Sequence, residues 1–291
     1  LLASGAEVTA WDRREGPREE LEGRATIADP LLIDLAGFDG VVVSPGVPLN
    51  THPIAPRAEA AGVPVIGDVE LFAQARGDLP PHRVVAITGT NGKSTTTALL
   101  HHLIESAGIP ARMGGNIGLP ILAQEPLPEG GVYVIELSSY QIDITQSLDC
   151  EAAGLTNITP DHLDRYDSFA SYAASKAKLF TMQSSANFSV FGCADVPTTS
   201  IQRQEVFRRP QGRAVCARLN FWKEDQGNWP SLQGPHNLQH AAIAGAMAHD
   251  LGLSLEQVLA GLASFRGLPH RMERLGEFGG VLFINDSKAT N

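Results

Sequence analysis

Nine residues, Thr88-Gly-Thr-Asn-Gly-Lys-Ser-Thr-Thr96, have the composition of a phosphate-binding loop. Gly89 and Gly92, with Thr90 and Asn91 between them, let backbone N–H groups close around phosphate oxygens. A helix N-terminus directly after such a loop adds donors and a favourable dipole. Lys93 supplies a point charge, Ser94 a hydroxyl suited to Mg2+, and Thr95 completes the nucleotide-facing set. The common nucleotide loop spells GxxxxGK[ST]. Here Ile87 stands at its first glycine, which leaves the shorter form Gly89-Thr-Asn-Gly-Lys-Ser94.

Other side chains could complete a reaction centre. Glu136 ends the apolar run Val132-Tyr-Val-Ile-Glu, and a carboxylate at the carboxyl end of a buried strand can hold Mg2+ on phosphates. Asp161, His162 and Asp164 follow a further strand-like run. His162 between two acids suits a ligand or catalytic role, Asp161 could orient or deprotonate an amine, and Asp164 could equally cap a helix. Lys176 and Lys178 fall on different faces of a helix, and residue pattern alone makes both solvated surface lysines. His236 and His240 have zinc-helix spacing, but Asn237 replaces the glutamate of that motif, so a loop entering a helix is the better reading. Asn285-Asp286-Ser287-Lys288-Ala289-Thr290 places an acid, a base and hydroxyls after a strand; composition alone also allows an exposed linker.

These groups need elements to hold them. Val84-Val-Ala-Ile87 reads as a buried strand and 97–107 as a helix, so the loop joins strand to helix. Strand-like runs at 8–11, 40–44 and 63–67 alternate with helical stretches at 55–61 and 69–75. Further strands are predicted at 132–137, 153–157 and 187–191, a hairpin-like stretch at 214–232, and helices at 237–251 and 255–263. Such alternation implies an α/β fold with parallel sheets wrapped by helices. Leu79-Pro-Pro-His82 is the expected linker. Leu1–Ala6 resembles the last turn of a helix, and the end at Asn291 a strand running into a polar loop. The chain is therefore expected to lack a strand–loop–helix unit before it and a domain after it.

The 291 residues suffice for two domains, and the net charge of −10 with pI near 5.3 argues against a nucleic-acid coat or basic membrane-surface protein. An anionic ligand must then be met by local positive potential from loop amides, a few cations and metal ions. Cys150, Cys193 and Cys216 have no metal-ligand spacing and read as free or buried thiols of a reducing cytosol. With no apolar run of membrane-spanning length and no leader, a cytoplasmic protein is expected.

Taken together, the short loop Gly89–Ser94 with Gly114-Gly-Asn-Ile-Gly118, Glu136-Leu-Ser-Ser-Tyr-Gln141, Asn157-Ile-Thr-Pro-Asp-His-Leu-Asp-Arg-Tyr166, Gly267-Leu-Pro-His-Arg271 and Asn285-Asp-Ser-Lys-Ala-Thr-Asn291 resembles the Mur ligase family, ATP-dependent amide-forming ligases of peptidoglycan synthesis. The resemblance runs along the whole chain. The last segment most resembles the branch that joins D-glutamate to UDP-N-acetylmuramoyl-L-alanine.

The resemblance implies a Rossmann-like uridine-nucleotide domain over residues 1–80, lacking its first strand and Gly-rich loop. It implies a central ATPase domain of P-loop type over 81–271, and the first strand of a Rossmann-like, D-glutamate-binding domain over 272–291. It places Asp12 and Arg13 near the uracil, Ser44, Pro45 and Gly46 near the diphosphate, and Asn116 near the muramoyl group. Lys93 would bind the β/γ-phosphates. Ser94 and Glu136 would hold one Mg2+, and His162 with a carbamylated Lys176 the second. Asn237 and Arg271 would contact nucleotide and Asp286 its ribose, while Lys288 and Thr290 would meet phosphate and D-glutamate. ATP, two Mg2+ ions and a monomeric enzyme follow, with the chain alone expected to bind nucleotide without ligating. His240 departs from the family's second Asn, and Gly192-Cys-Ala-Asp195 keeps one acid of a usual pair. Alternatives are a sister Mur or folylpolyglutamate synthase-like ligase, or a non-catalytic nucleotide-binding protein.

Overall fold

The computed structural model describes residues 1–209, 212–271 and 273–288. The chain divides into two compact units, 1–67 and 68–291, so the division falls ahead of the expected linker at 79–82. The first unit holds two parallel strand pairs, β1 (Thr9–Ala10) with β2 (Thr26–Ile27), and β3 (Val41–Val42) with β4 (Val65–Ile66). Two helices, α1 (Glu15–Glu19) and α2 (Ile54–Ala61), lie between these strands in sequence. Its small core gathers Leu35, Ile54, Ala58 and Val63.

The second unit opens with α3 (Asp68–Ala75) and is built on a six-stranded parallel sheet. In chain order come β5 (His82–Thr88), α4 (Lys93–Ser106), β6 (Ala111–Gly115), β7 (Gly131–Glu136), α5 (Ser139–Asp143), β8 (Ala152–Leu155), α6 (Phe169–Met182), β9 (Phe188–Phe191), α7 (Val196–Arg208) and β10 (Ala214–Cys216). The strands lie in the order β10-β9-β8-β5-β7-β6, with β5 in the middle. Three helices follow β10: α8 (Leu219–Trp222), α9 (Pro235–Asp250) and α10 (Leu255–Ser264). The expected hairpin at 214–232 is therefore a parallel edge strand followed by helical turns. The last segment is an antiparallel hairpin of β11 (Glu273–Phe278) and β12 (Val281–Asn285), where a single strand is expected from sequence.

Successive side chains of a strand point to opposite faces, and a parallel sheet must be covered on both. β5 shows this. Val85 and Ile87 join the core under α4, α9 and α10, whereas Val84 and Ala86 join the core that α3 and α6 help to form. Val69 and Phe72 of α3 lie in that second core, which ties α3 to this unit. Ser138 caps α5 and Ser254 caps α10, each with a reciprocal capping box. The cap of α6 is Ser168, so Asp164 does not serve there.

The cysteines depart from the expectation of three thiols. Cys193, just past β9, and Cys216, at the end of β10, form a disulfide. β9 and β10 are paired neighbours, which brings two residues 23 apart in sequence into range. Cys150 is free and buried.

Candidate active site

β5 delivers its carboxyl end to the loop 89–92 in the expected order of strand, loop and helix, but α4 begins at Lys93, four residues before the expected 97, so Lys93, Ser94 and Thr95 lie in its first turn. Gly89 and Gly92 have φ of +146° and +81°, values that L side chains rarely adopt. Crowding adds a second reason for glycine. A Cβ on Gly89 would stand 1.9 Å from Thr156 Oγ1, and one on Gly92 would stand 1.9 Å from His240 Nε2. The loop thus runs between the end of β8 and α9.

A second loop braces the first. Thr90 N–H donates to the Asn157 carbonyl at 2.8 Å, and Asn91 N–H to Asn157 Oδ1 at 3.0 Å. Asn157 Nδ2 and Thr156 Oγ1 both donate to the Asn91 carbonyl. Thr90 Oγ1 accepts from Thr159 N–H and lies 3.1 Å from Tyr172 Oη. The segment 156–159, quoted from sequence only as part of a motif, and Tyr172 are neighbours of the loop to which sequence reasoning gave no role. Tyr172 sits one helical turn before Lys176 on α6, and that spacing was the available signal.

Lysines from two helices meet on one carbonyl. Lys93 Nζ donates to the carbonyls of Gly89 (3.0 Å) and Thr90 (2.8 Å), and Lys176 Nζ donates to Gly89 at 2.7 Å. Lys176 is buried, only 1% exposed, with Nζ 4.7 Å above the Tyr172 ring. This corrects the residue-pattern expectation of a surface lysine; Lys178, which reaches Asp143, does lie at the surface. Burial, then the neighbouring charge of Lys93, pushes the Lys176 ammonium down to about 7. Burial also lowers Lys93, against the opposing pull of Glu136 and Asp161.

Glu136 pairs in register with Ile87 on β5, which sets its side chain beside the loop. Its Oε1 accepts from Asn116 Nδ2 at 2.8 Å, while Oε2 is buried without a hydrogen-bond partner. A polar oxygen left bare in the interior is costly unless a donor or cation completes it, so the oxygen donor fits a metal ion. Ser94 Oγ, the second expected ligand, accepts from Arg271 Nη2 at 3.4 Å. Among the described residues no three His, Cys, Asp or Glu side chains gather as metal ligands. A ligand set here would have to include groups of other kinds, of which the Ser94 hydroxyl is one.

The other expected residues are less tightly drawn together. His162 has φ +53°, its side chain is 44% exposed, its Nε2 lies 3.6 Å from Asp161 Oδ2, and its ring lies 5.0 Å from Tyr140. Asp161 Oδ1 accepts from the His162 N–H. Asn237 donates through Nδ2 to the Gln233 carbonyl, so its Oδ1 accepts from His240 Nδ1 at 3.3 Å. That contact leaves His240 Nε2, the atom facing Gly92, as an unprotonated acceptor. Burial, then His236, pushes His240 down to about 4, so the ring is neutral. Lys288 N–H donates to the His270 carbonyl, and Asp286 lies in the exposed turn beside it. Thr290 lies outside the described residues. In the first unit, Asp12 is gripped by Arg14, which lowers its carboxyl, Arg13 is exposed, and Ser44-Pro45-Gly46 form a turn closed by Val47 N–H on the Ser44 carbonyl. Among the described residues no helix is long and apolar enough to cross a membrane.

Comparison with known proteins follows the same lines. The family profile "Mur ligase middle domain" matches residues 87–211. A UDP-N-acetylmuramoylalanine--D-glutamate ligase of Novosphingobium aromaticivorans is 66% identical over all of this chain, which covers 66% of that protein. The protein of the same name from Zymomonas mobilis is 53% identical, and this chain covers 68% of it. The chain thus spans 66–68% of the length of these relatives. Among solved structures, UDP-N-acetylmuramate:L-alanyl-gamma-D-glutamyl-meso-diaminopimelate ligase of Neisseria meningitides gives a TM-score of 0.59 at 18% identity, over 92% of this chain and 93% of that one. MurF of Acinetobacter baumannii gives 0.58 at 22% identity, over 74% and 53%. At these identities the structural likeness concerns the fold. The sequence matches, which run over the whole of this chain, go further, and by them the chain belongs to the Mur ligase family, among the UDP-N-acetylmuramoylalanine--D-glutamate ligases.

Proposed function

We propose that the chain serves an ATP-dependent ligase that adds D-glutamate to UDP-N-acetylmuramoyl-L-alanine during peptidoglycan synthesis, in the cytoplasm. One observation carries the reading: Lys93, Lys176 and the half-bare carboxylate of Glu136 surround a single glycine-rich loop. The carboxylate of the UDP-linked muramoyl-L-alanine attacks the γ-phosphate of ATP to give an acyl phosphate. The amine of D-glutamate then attacks the activated carbonyl, and phosphate leaves.

In this reading loop amides cradle the phosphates, and Lys93 exchanges its carbonyl partners for the phosphoryl group in transfer. Asp161 or His162 orients or deprotonates the incoming amine. Asn237 and Arg271 contact nucleotide, Asp286 the ribose, and Lys288 and Thr290 the phosphate and D-glutamate. Asn116 serves the muramoyl group, Asp12 and Arg13 the uracil, and Ser44, Pro45 and Gly46 the diphosphate. Mg2+ held by Ser94 and Glu136, and a second ion by His162 and carbamylated Lys176, would neutralise the charge that crowds at the phosphates. An amine titrating near 7 supports the carbamate, because only the neutral form adds CO2. Residues 1 to about 80 would grip the uridine nucleotide, and those from about 272 would begin the D-glutamate-binding domain.

The test is ADP formation by the intact protein with UDP-N-acetylmuramoyl-L-alanine and a panel of amino acids, the 291-residue chain alone being expected to bind nucleotide without turnover. D-Glutamate should drive it. Acceleration by L-glutamate or a diamino acid instead would move the chain to a sister ligase, and full activity of Lys93→Ala would overturn the role of the loop. Bicarbonate labelling of Lys176, read by peptide mass, tests the carbamate.

A further inference from the structure

The disulfide sits where it can reach the phosphate loop. Cys193 and Cys216, with Cα atoms 5.7 Å apart, tie the turn after β9 to the end of the three-residue edge strand β10. Both residues are half-buried rather than sealed in the core. Cys193 holds φ +52°, a left-handed conformation uncommon for a residue with a side chain. A cavity of about 400 Å3 reaches Cys216 beside Phe188, Val215, Arg218 and Trp222.

Two short routes lead from this turn to the loop. Gly192 lies close against Thr156: a Cβ on it would stand 2.0 Å from the Thr156 carbonyl oxygen. Thr156 in turn bonds the Asn91 carbonyl and fills the space above Gly89. By the second route, Asp195 Oδ2 accepts from Ile158 N–H at 3.1 Å. Ile158 follows Asn157, which takes the N–H groups of Thr90 and Asn91.

We propose that Cys193 and Cys216 are a reversible thiol–disulfide site, through which a small-molecule couple of the glutathione class sets the affinity of the phosphate loop for nucleotide. The cavity at Cys216 favours a small thiol over a protein partner. The proposal rests on the nucleotide reading of the loop. In oxidation one cysteine thiolate attacks the small disulfide and expels one small thiolate. The second cysteine thiolate then attacks the mixed disulfide and expels the other. Two electrons pass from the protein dithiol to the small disulfide, the Cys193–Cys216 bond forms, and the two thiol protons end on the released thiols; reduction reverses each step. In a reducing compartment a disulfide of this kind is transient and redox-sensing.

With the bond closed, the turn 192–195 is fixed and presses Thr156 and Ile158 into place under the loop. Opening it releases Cys193 from the left-handed region and loosens both routes. Nucleotide affinity then falls by about fivefold, the low end of allosteric coupling. By linkage, ATP makes the disulfide harder to reduce by the same factor.

The experiment titrates ATP with Mg2+ into the wild-type protein oxidised with glutathione disulfide, and again after reduction with dithiothreitol, with thiols counted by mass. Hydrogen exchange at the Ile158 amide is followed in both states. The reduced form should bind ATP about fivefold more weakly, and Ile158 should exchange faster. Cys216→Ser should match the reduced form and ignore the buffer. Equal affinity in the two redox states overturns the coupling while leaving the nucleotide reading intact. No ATP binding in either state overturns that reading and the coupling with it. An Ile158 exchange rate unmoved by reduction overturns the mechanical link.

Discussion

Gly92→Ala is a demanding perturbation because its cost has two separable sources. The first is the backbone: φ at Gly92 is +81°, and holding alanine there costs about 1–2 kcal/mol. The second is space. The new methyl would lie 1.9 Å from Nε2, 2.6 Å from Cε1 and 2.8 Å from Cδ2 of His240. Ordinary contact begins near 3.5 Å, so the ring or the loop must yield by about 1.5 Å. His240 is buried and held by Asn237, so yielding strains packed neighbours, at about 1–3 kcal/mol. Gly92→Ala should therefore destabilise by about 2–5 kcal/mol, the sum of these two ranges. Urea unfolding of wild type, Gly92→Ala, His240→Ala and the double variant separates the terms. Removing the ring abolishes the steric part and leaves the backbone part, so the alanine should cost about 1–3 kcal/mol less in the His240→Ala background. If it costs the same in both backgrounds to within about 0.5 kcal/mol, the ring does not define the space above the loop.

Two further outcomes are expected. The Lys176 ammonium titrates near 7 in the fold against an ordinary 10.5, so between those values the unfolded chain holds the extra proton. In CO2-free buffer stability should therefore rise with pH across that window, by at most about 1.4 kcal/mol per pH unit, the destabilisation being fully present below 7. Lys176→Met should flatten the slope in denaturant titrations, and an unchanged slope would show that another group is responsible. Arg209, with no exposed side-chain surface, donates to Glu205 and to the carbonyls of Phe180, Ser184 and Asn187. Arg209→Met should cost about 3–5 kcal/mol in thermal unfolding because these acceptors lose their donor; a loss under about 1 kcal/mol would mean that water or Arg208 replaces it.

Strands β5, β7, β8 and β9 are legible in the sequence because a parallel sheet covered on both faces writes each strand as a largely apolar run, broken in β9 by the buried Ser189. The same rule misses β6, whose Ala-Arg-Met-Gly-Gly carries no such run and is placed by its neighbour β7. The stretch 214–232 misleads because short aromatic segments have no period to separate a hairpin from a strand and a helical turn. At the site, the loop and Glu136 could be read from local pattern. Lys176 could not: periodicity puts it on a face with Tyr172, Leu179 and Phe180 but does not say that the face is buried. Asn157, Thr159 and His240 act on the loop from more than sixty residues away in sequence, and the Cys193–Cys216 bond depends on which strands become neighbours. Contacts of that kind appear only after the chain has folded back.

The central place of β5 also has a consequence in time. Its partners are β7 on one side and β8 on the other, and β8 ends at Leu155. During synthesis Val84, Val85, Ala86 and Ile87 must wait for roughly 70 further residues before both edges can be paired, which at about 5–20 residues per second is a delay of about 4–14 s. Meanwhile α3 before it and α4 after it can cover parts of its two faces, but the edge that β8 will take stays open. The residues most exposed to misassembly on the ribosome are thus the ones that will later carry the phosphate loop.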